Sequence, residues 1–168
     1  MKSGVRILLV LVFSMLAQNV YSQEFDQGYY RLTTQWLGDQ KSLDVVNDGK
    51  NNQLQLAKTD KVTGQYWKIT PIGDTGYFRL TTQWQGEEKS LDVVNDGKNN
   101  KLQLADTDEV TGQYWMIASL GDGYYRLTTK WQGEGKSLDV VNDGKNNQIQ
   151  LAKSDDVSGQ YWKIQLIK

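Results

Sequence analysis

Polar and apolar residues alternate with a period of two from Tyr29 onward. Tyr30, Leu32, Thr34 and Trp36 fall on one face of an extended chain, and Arg31 and Thr33 on the other. That spacing predicts a half-buried strand over 29–36. Three further short segments, 42–46, 53–57 and 65–69, lie between loops rich in Gly, Asn and Asp, and read as three more strands. The chain from there on shows no sustained period of 3.6, and its density of Gly, Asn, Asp and Thr disfavours helices.

This four-segment pattern occurs three times, over 28–69, 76–117 and 123–164. The first copy matches each of the other two at 34 of 42 positions. Residues 41–52, Lys-Ser-Leu-Asp-Val-Val-Asn-Asp-Gly-Lys-Asn-Asn, recur without a change at 89–100 and 136–147, and Gly-Gln-Tyr-Trp recurs at Gly64, Gly112 and Gly159. Self-similarity at a fixed period means one structural unit used three times. Twelve strands are therefore predicted, in a single all-β domain. A propeller also uses four strands per unit, but it closes with four or more blades.

Composition narrows the classes. Lys2 and Arg6 precede an apolar run over 7–16 and then a stretch ending Val20-Tyr21-Ser22, the layout of a secretory signal peptide cut after Ser22. The run is short of the roughly 20 apolar residues a membrane span needs. The expectation is a secreted or periplasmic protein of residues 23–168, with no membrane insertion after cleavage. Losing two basic residues leaves 17 against 20 acidic. No basic stripe remains to neutralise phosphates, so nucleic acid is not an expected partner, and no polybasic run favours anionic membranes.

The chain has no cysteine and no histidine. Its stability must come from packing and backbone hydrogen bonding rather than disulfides. Neither a metal site nor a cofactor is expected. The oxygen-rich loop 47–52 lacks EF-hand spacing and a closing glutamate, and Lys50 sits inside it; a hairpin turn through Asp48-Gly49 is the better reading.

Leu43-Asp44-Val45, Leu54-Gln55-Leu56 and Gln65-Tyr66-Trp67, each with two further copies, resemble the ricin B-type lectin family, which carries a Gln-x-Trp triplet in each of three repeats. The resemblance covers nearly all of 23–168. It implies a β-trefoil, with six strands forming a barrel and six forming hairpins that cap one end. It also implies binding of glycans, galactose-like ones among them, in a shallow pocket within each repeat.

By position, Asp44, Asp92 and Asp139 match the aspartate that accepts hydrogen bonds from sugar hydroxyls. Gln55, Gln103 and Gln150 match a glutamine lining the pocket. Gln65, Gln113 and Gln160 match the triplet glutamine that steadies the aspartate. A carboxylate with amides suits a sugar, which presents a fan of donors and acceptors. Two departures stand out: Ala57, Ala105 and Ala152 replace an aromatic that stacks on the sugar ring, and Gly64, Gly112 and Gly159 replace an asparagine before the triplet.

Trp67, Trp115 and Trp162 read as core, with Tyr66, Tyr114 and Tyr161 on the opposite face. Trp36, Trp84 and Trp131 have two readings. Strand alternation puts them on the core face with Leu32, and exposure beside a glycine loop would make them replacement stacking platforms.

The expected function is a non-enzymatic, multivalent lectin with up to three equivalent sites. A protein-binding trefoil such as a protease inhibitor is the rival, although such inhibitors rely on loops that differ between repeats. A structural trefoil with vestigial sugar sites is the third reading. A glycosidase would need two carboxylates across a cleft, about 5 to 9 Å apart. Asp44 with Asp48 in three identical shallow sites is a poor candidate for that.

Overall fold

The computed structural model describes residues 24–167, and the expected signal peptide and its cut after Ser22 lie outside the described residues. The first repeat supplies β1 (Tyr30–Thr34), β2 (Lys41–Val45), β3 (Leu54–Lys58) and β4 (Trp67–Pro71). The second supplies β5 (Phe78–Thr82), β6 (Gly86–Val93), β7 (Leu102–Asp106) and β8 (Trp115–Gly121). The third supplies β9 (Tyr124–Thr129), β10 (Gly133–Val140), β11 (Ile149–Lys153) and β12 (Trp162–Leu166).

The first and last strand of each repeat pair in a closed antiparallel ring, β1-β4-β5-β8-β9-β12 and back to β1. Closure removes the open edges that a six-stranded sheet would otherwise expose. The inner strands form three hairpins, β2 with β3, β6 with β7 and β10 with β11. This is the β-trefoil, twelve strands in three four-strand repeats.

Two strand boundaries differ from the alternation pattern. The first strand stops at Thr34 rather than running to Trp36, because the Thr34 hydroxyl accepts the Leu37 N–H and Gly38 turns the chain at φ 59°. Trp36 consequently sits half-buried at the margin of the core, packed against it without being enclosed. Gln65 lies in a short 3-10 turn, Thr63–Gln65, and the strand begins only at Trp67. The same two adjustments recur in each repeat.

Apolar positions of all twelve strands converge on one core. Trp67, Trp115 and Trp162 are 0% exposed. Each indole N–H donates to a hairpin carbonyl at 2.9 Å: Trp67 to Leu43, Trp115 to Leu91 and Trp162 to Leu138. A buried indole N–H without an acceptor would cost free energy, so this bond fixes where the hairpin can sit. Tyr66, Tyr114 and Tyr161 face outward beneath the guanidinium groups of Arg31, Arg79 and Arg126. At the barrel end away from the hairpins, Phe25 packs edge-on against Tyr30 and Phe78 and at a tilt against Tyr125, touching one equivalent ring from each repeat.

The hairpins are tied to one another through the invariant loops. The Asn52 carbonyl accepts Leu104 N–H, Asn100 accepts Leu151 N–H and Asn147 accepts Leu56 N–H, all at 2.8 Å. Asp48 accepts the N–H groups of Lys50 and Asn51, and Gly49 and Asn51 take positive φ, so the loop is a tight turn as expected. Lys41 donates to the Lys145 and Asn146 carbonyls, and Lys136 donates to those of Lys98 and Asn99. Lys89, the third copy, pairs instead with Asp106, which stands where the other repeats have Lys58 and Lys153.

Trp115→Ala is expected to lower the unfolding free energy by about 3–5 kcal/mol, from lost burial and a residual cavity. Trp115→Phe keeps much of the volume and still strands the Leu91 carbonyl, at a cost of about 1–3 kcal/mol. Urea unfolding of both variants tests this, and a Phe variant as stable as the parent would refute the anchoring role of the indole N–H.

Candidate functional site

Three equivalent shallow depressions open on the surface, each of about 310–340 Å³ and each at a seam between repeats. The first is lined by Asp44, Asn47, Val62, Thr63 and Gly64 of one repeat and by Trp84 of the next. The second joins Asp92, Asn95 and Gln103 to Trp131. The third joins Asp139, Asn142 and Gly159 to Trp36, so the last repeat is completed by the first.

Local structure explains the placement. Asp44, Asp92 and Asp139 each follow the hairpin leucine whose carbonyl receives the buried indole N–H, so the carboxylate stands where the hairpin is anchored. Trp84 N–H donates to the Thr63 carbonyl, Trp131 to Thr111 and Trp36 to Ser158, which hangs each indole over the 3-10 turn of the preceding repeat. A side chain between them would displace the carboxylate. A Cβ at Gly64 would lie 2.7 Å from Asp44 Oδ1 and 3.5 Å from the Trp84 ring, and one at Gly112 would lie 2.7 Å from Asp92 Oδ1. Gly64, Gly112 and Gly159 thus let the carboxylate and the indole approach one another across bare backbone.

The sequence-derived residues fall into three groups. Gln55, Gln103 and Gln150 lie directly across the hairpin from the aspartates, and Gln103 Nε2 donates to Asp92 at 3.1 Å and Gln150 Nε2 to Asp139 at 3.3 Å. Gln65, Gln113 and Gln160 are buried, and their amides span the loop before the 3-10 turn. Gln65 accepts Asp60 N–H and donates to the Lys58 carbonyl, and Gln113 and Gln160 repeat this. Gln65 also bonds toward Asp44. Trp36, Trp84 and Trp131 are half-buried and face the depressions.

Two sets of lining residues escaped the sequence reading. Val62, Val110 and Val157 are 43%, 42% and 43% exposed on the rim, and the exposed Asn47, Asn95 and Asn142 also line the depressions. A signal was present: valine is kept in all three repeats while the residue before it drifts through Lys61, Glu109 and Asp156. The alanines Ala57, Ala105 and Ala152 line none of the three depressions; they pair with Ser42, Ser90 and Ser137. The aromatic wall is supplied from the next repeat instead.

Burial pushes the carboxyl groups of Asp44, Asp92 and Asp139 above the ordinary aspartate value. Hydrogen bonds pull back against burial: Val45 N–H, Gln65 and Gln55 at Asp44; Gln103 and Val93 N–H at Asp92; Gln150 and Val140 N–H at Asp139. The turn aspartates Asp96 and Asp143 shift the other way, chiefly through the N–H groups of Asn99 and Asn146. Carboxylates that the fold charges only at a cost, in an open depression, are the candidate ligand-binding groups of these sites.

No protein-family model and no curated protein matches the sequence. Solved structures do. A designed threefold-symmetric protein, ThreeFoil, superposes with a TM-score of 0.71 at 27% identity, over 83% of this chain and 99% of that one. An exo-β-1,3-galactanase from Clostridium thermocellum gives a TM-score of 0.70 at 25% identity, over 84% of this chain and 31% of the galactanase. The SeviL structure, bound to asialo-GM1 saccharide, gives 0.63 at 17% identity, over 84% of this chain and 98% of SeviL.

Because the folded pKa of the three aspartates is raised, the native state binds their protons more tightly than the unfolded chain does. Their contribution to stability therefore falls as pH rises from the ordinary value of 3.8 through the raised one. The triple variant Asp44→Asn, Asp92→Asn, Asp139→Asn is expected to melt higher than the parent at pH 7, with the gap closing below pH about 4. Calorimetry across pH checks this, and a lower melting temperature at pH 7 would assign the aspartates a structural role.

Proposed function

We propose that this ricin B-like β-trefoil is a secreted, non-enzymatic lectin whose three equivalent sites bind exposed, galactose-like glycan residues. The observation that carries the reading is the threefold pairing of a largely buried carboxylate with an indole and an exposed valine across a bare glycine. A pyranose has hydroxyls on its rim and an apolar C–H face. The Asp44 carboxylate and the Asn47 amide accept from and donate to the first, and Trp84 with Val62 packs the second. The likeness to a lectin bound to asialo-GM1 saccharide supports a glycan partner.

Hydrolysis is not supported by the lining. Each depression holds one carboxylate, whereas glycoside cleavage by paired carboxyl groups needs an acid and a base or nucleophile. Single sites built from a few hydrogen bonds and one ring face hold a monosaccharide with a Kd of order 0.1–1 mM. Three such sites on one rigid body gain avidity of order 10² or more on a dense glycan surface.

On a glycan array the protein is expected to retain a galactose-terminated subset. Asp44→Asn with its two copies, or Trp36→Ala, Trp84→Ala and Trp131→Ala together, should abolish retention. Gly112→Ala alone should silence one site of three, by displacing Asp92, and lower avidity about tenfold. A parent protein that binds no glycan would leave a structural trefoil, and binding unchanged by the aspartate and tryptophan variants would move the site elsewhere.

A further inference from the structure

The three hairpins meet at the capped end of the barrel around a depression of about 980 Å³, larger than any of the three sites at the seams. Equivalent residues of all three repeats line it, so it sits on the threefold axis and occurs once per chain. None of Asp44, Asp92 and Asp139 lines it, but the glutamines opposite them, Gln55, Gln103 and Gln150, all do, and Gln103 lines a seam site as well.

Its chemistry differs from that of the seam sites in three respects. The base is apolar, formed by Leu54, Leu102 and Ile149, which pack against the core from below. The wall is a ring of amides, and the side-chain oxygens of Asn52, Asn100 and Asn147 are enclosed without a hydrogen-bond donor among the described residues. The charge is positive. Lys101 pairs with Asp96 at 3.5 Å, which leaves Lys50 and Lys98 in the lining without an ion-pair partner among the described residues.

Three neutral oxygens alone would suit a cation, but two unpaired ammonium groups beside them repel one. An apolar base alone would suit a hydrocarbon, but the wall would then bury amides without partners. A ligand that answers all three features is flat on one face, rich in hydroxyl groups and negatively charged. We infer that the axial depression is a second class of ligand site, one per chain, for an anionic sugar residue bearing a carboxylate or a sulfate.

The ring face rests on Leu54, Leu102 and Ile149, and the anion lies between Lys50 and Lys98. The last torsion of asparagine is soft, so the amides of Asn52, Asn100 and Asn147 turn their oxygens toward the sugar hydroxyls. Lys101 stands where the other repeats have Gln53 and Gln148. With Lys50 and Lys98 lining the depression and Lys145 not, that difference makes the three ligand orientations unequal.

Titration of the isotope-labelled protein with glucuronate, glucose 6-sulfate and glucose tests the site by NMR. Both anions are expected to shift the side-chain amides of Asn52, Asn100 and Asn147 and to saturate at one ligand per chain. Glucose should bind about tenfold more weakly, and salt at about 0.5 M should erase the difference. The variant Lys50→Gln, Lys98→Gln, Lys101→Gln should lose the anion preference while its backbone spectrum stays folded. The Asp44→Asn, Asp92→Asn, Asp139→Asn variant should bind the anions like the parent, which separates this site from the seam sites whatever becomes of the lectin reading. Three anions per chain, equal affinity for glucose, an unaffected lysine variant, or no saturable shift by about 50 mM would each overturn the assignment.

Discussion

The indole N–H of Trp67 donating to the Leu43 carbonyl, with its two copies, is the interaction on which the rest of the molecule depends. It joins a barrel strand to a hairpin strand through the centre of the core. Without it the hairpins would be held by apolar packing and by two sets of hydrogen bonds, the bulged pairing of β6 with β5 and of β10 with β9 and their own loop-to-loop bonds, neither of which reaches the centre of the core. With it, the residue after each leucine has a fixed address. That residue is the aspartate, and the tryptophan beside it in the folded molecule arrives from the next repeat by an equally fixed route, a turn closed by threonine and hung on the preceding 3-10 loop.

The twelve invariant residues serve both architecture and site, and the division runs residue by residue. Lys41 clasps a neighbouring loop, Ser42 bonds Thr59 in the interior, and Leu43 and Val45 are core. Asp48, Gly49 and Asn51 make the turn, and Asn52 carries the bond to the adjacent hairpin. Asp44, Val46, Asn47 and Lys50 remain: Asp44 and Asn47 line a seam site, and Val46 and Lys50 line the axial depression. Polar identity across repeats is therefore mostly an interface requirement: each hairpin loop meets a neighbour, and any change must suit both sides. Lys89 shows what drift does there, since the acidic Asp106 draws it away from the clasp that Lys41 and Lys136 keep.

How much of this was legible depends on the range of the information. Strand count and the burial of Trp67, Trp115 and Trp162 were readable because period-two alternation and threefold repetition are properties of the chain itself, whereas closure into a trefoil rested on the resemblance carried by the three Gln-x-Trp triplets. The end of β1 was not, because Thr34 stops the strand through a side-chain hydrogen bond that alternation does not encode. The partnership of Asp44 with Trp84 was out of reach for a different reason. Aligning repeats compares each position with its own copies, and a site shared between two repeats is invisible to that comparison. The same blindness hid the axial depression, where each repeat contributes one third of a wall and none contributes a recognisable pocket.

The seam between the first and last strands reaches beyond binding. Five residues of β1 pair with five of β12, and the third seam site needs Trp36 from one end of the described chain and Asp139 from near the other. Contacts of such long sequence separation are slow to form, because loop closure costs entropy before any contact is made. The ring therefore stays open until its last strand exists. Once shut, it can reopen only by tearing a full strand pair from both neighbours at once. The expected temperament is that of a slow folder and a still slower unfolder, whose persistence is governed by a barrier rather than by the depth of its well.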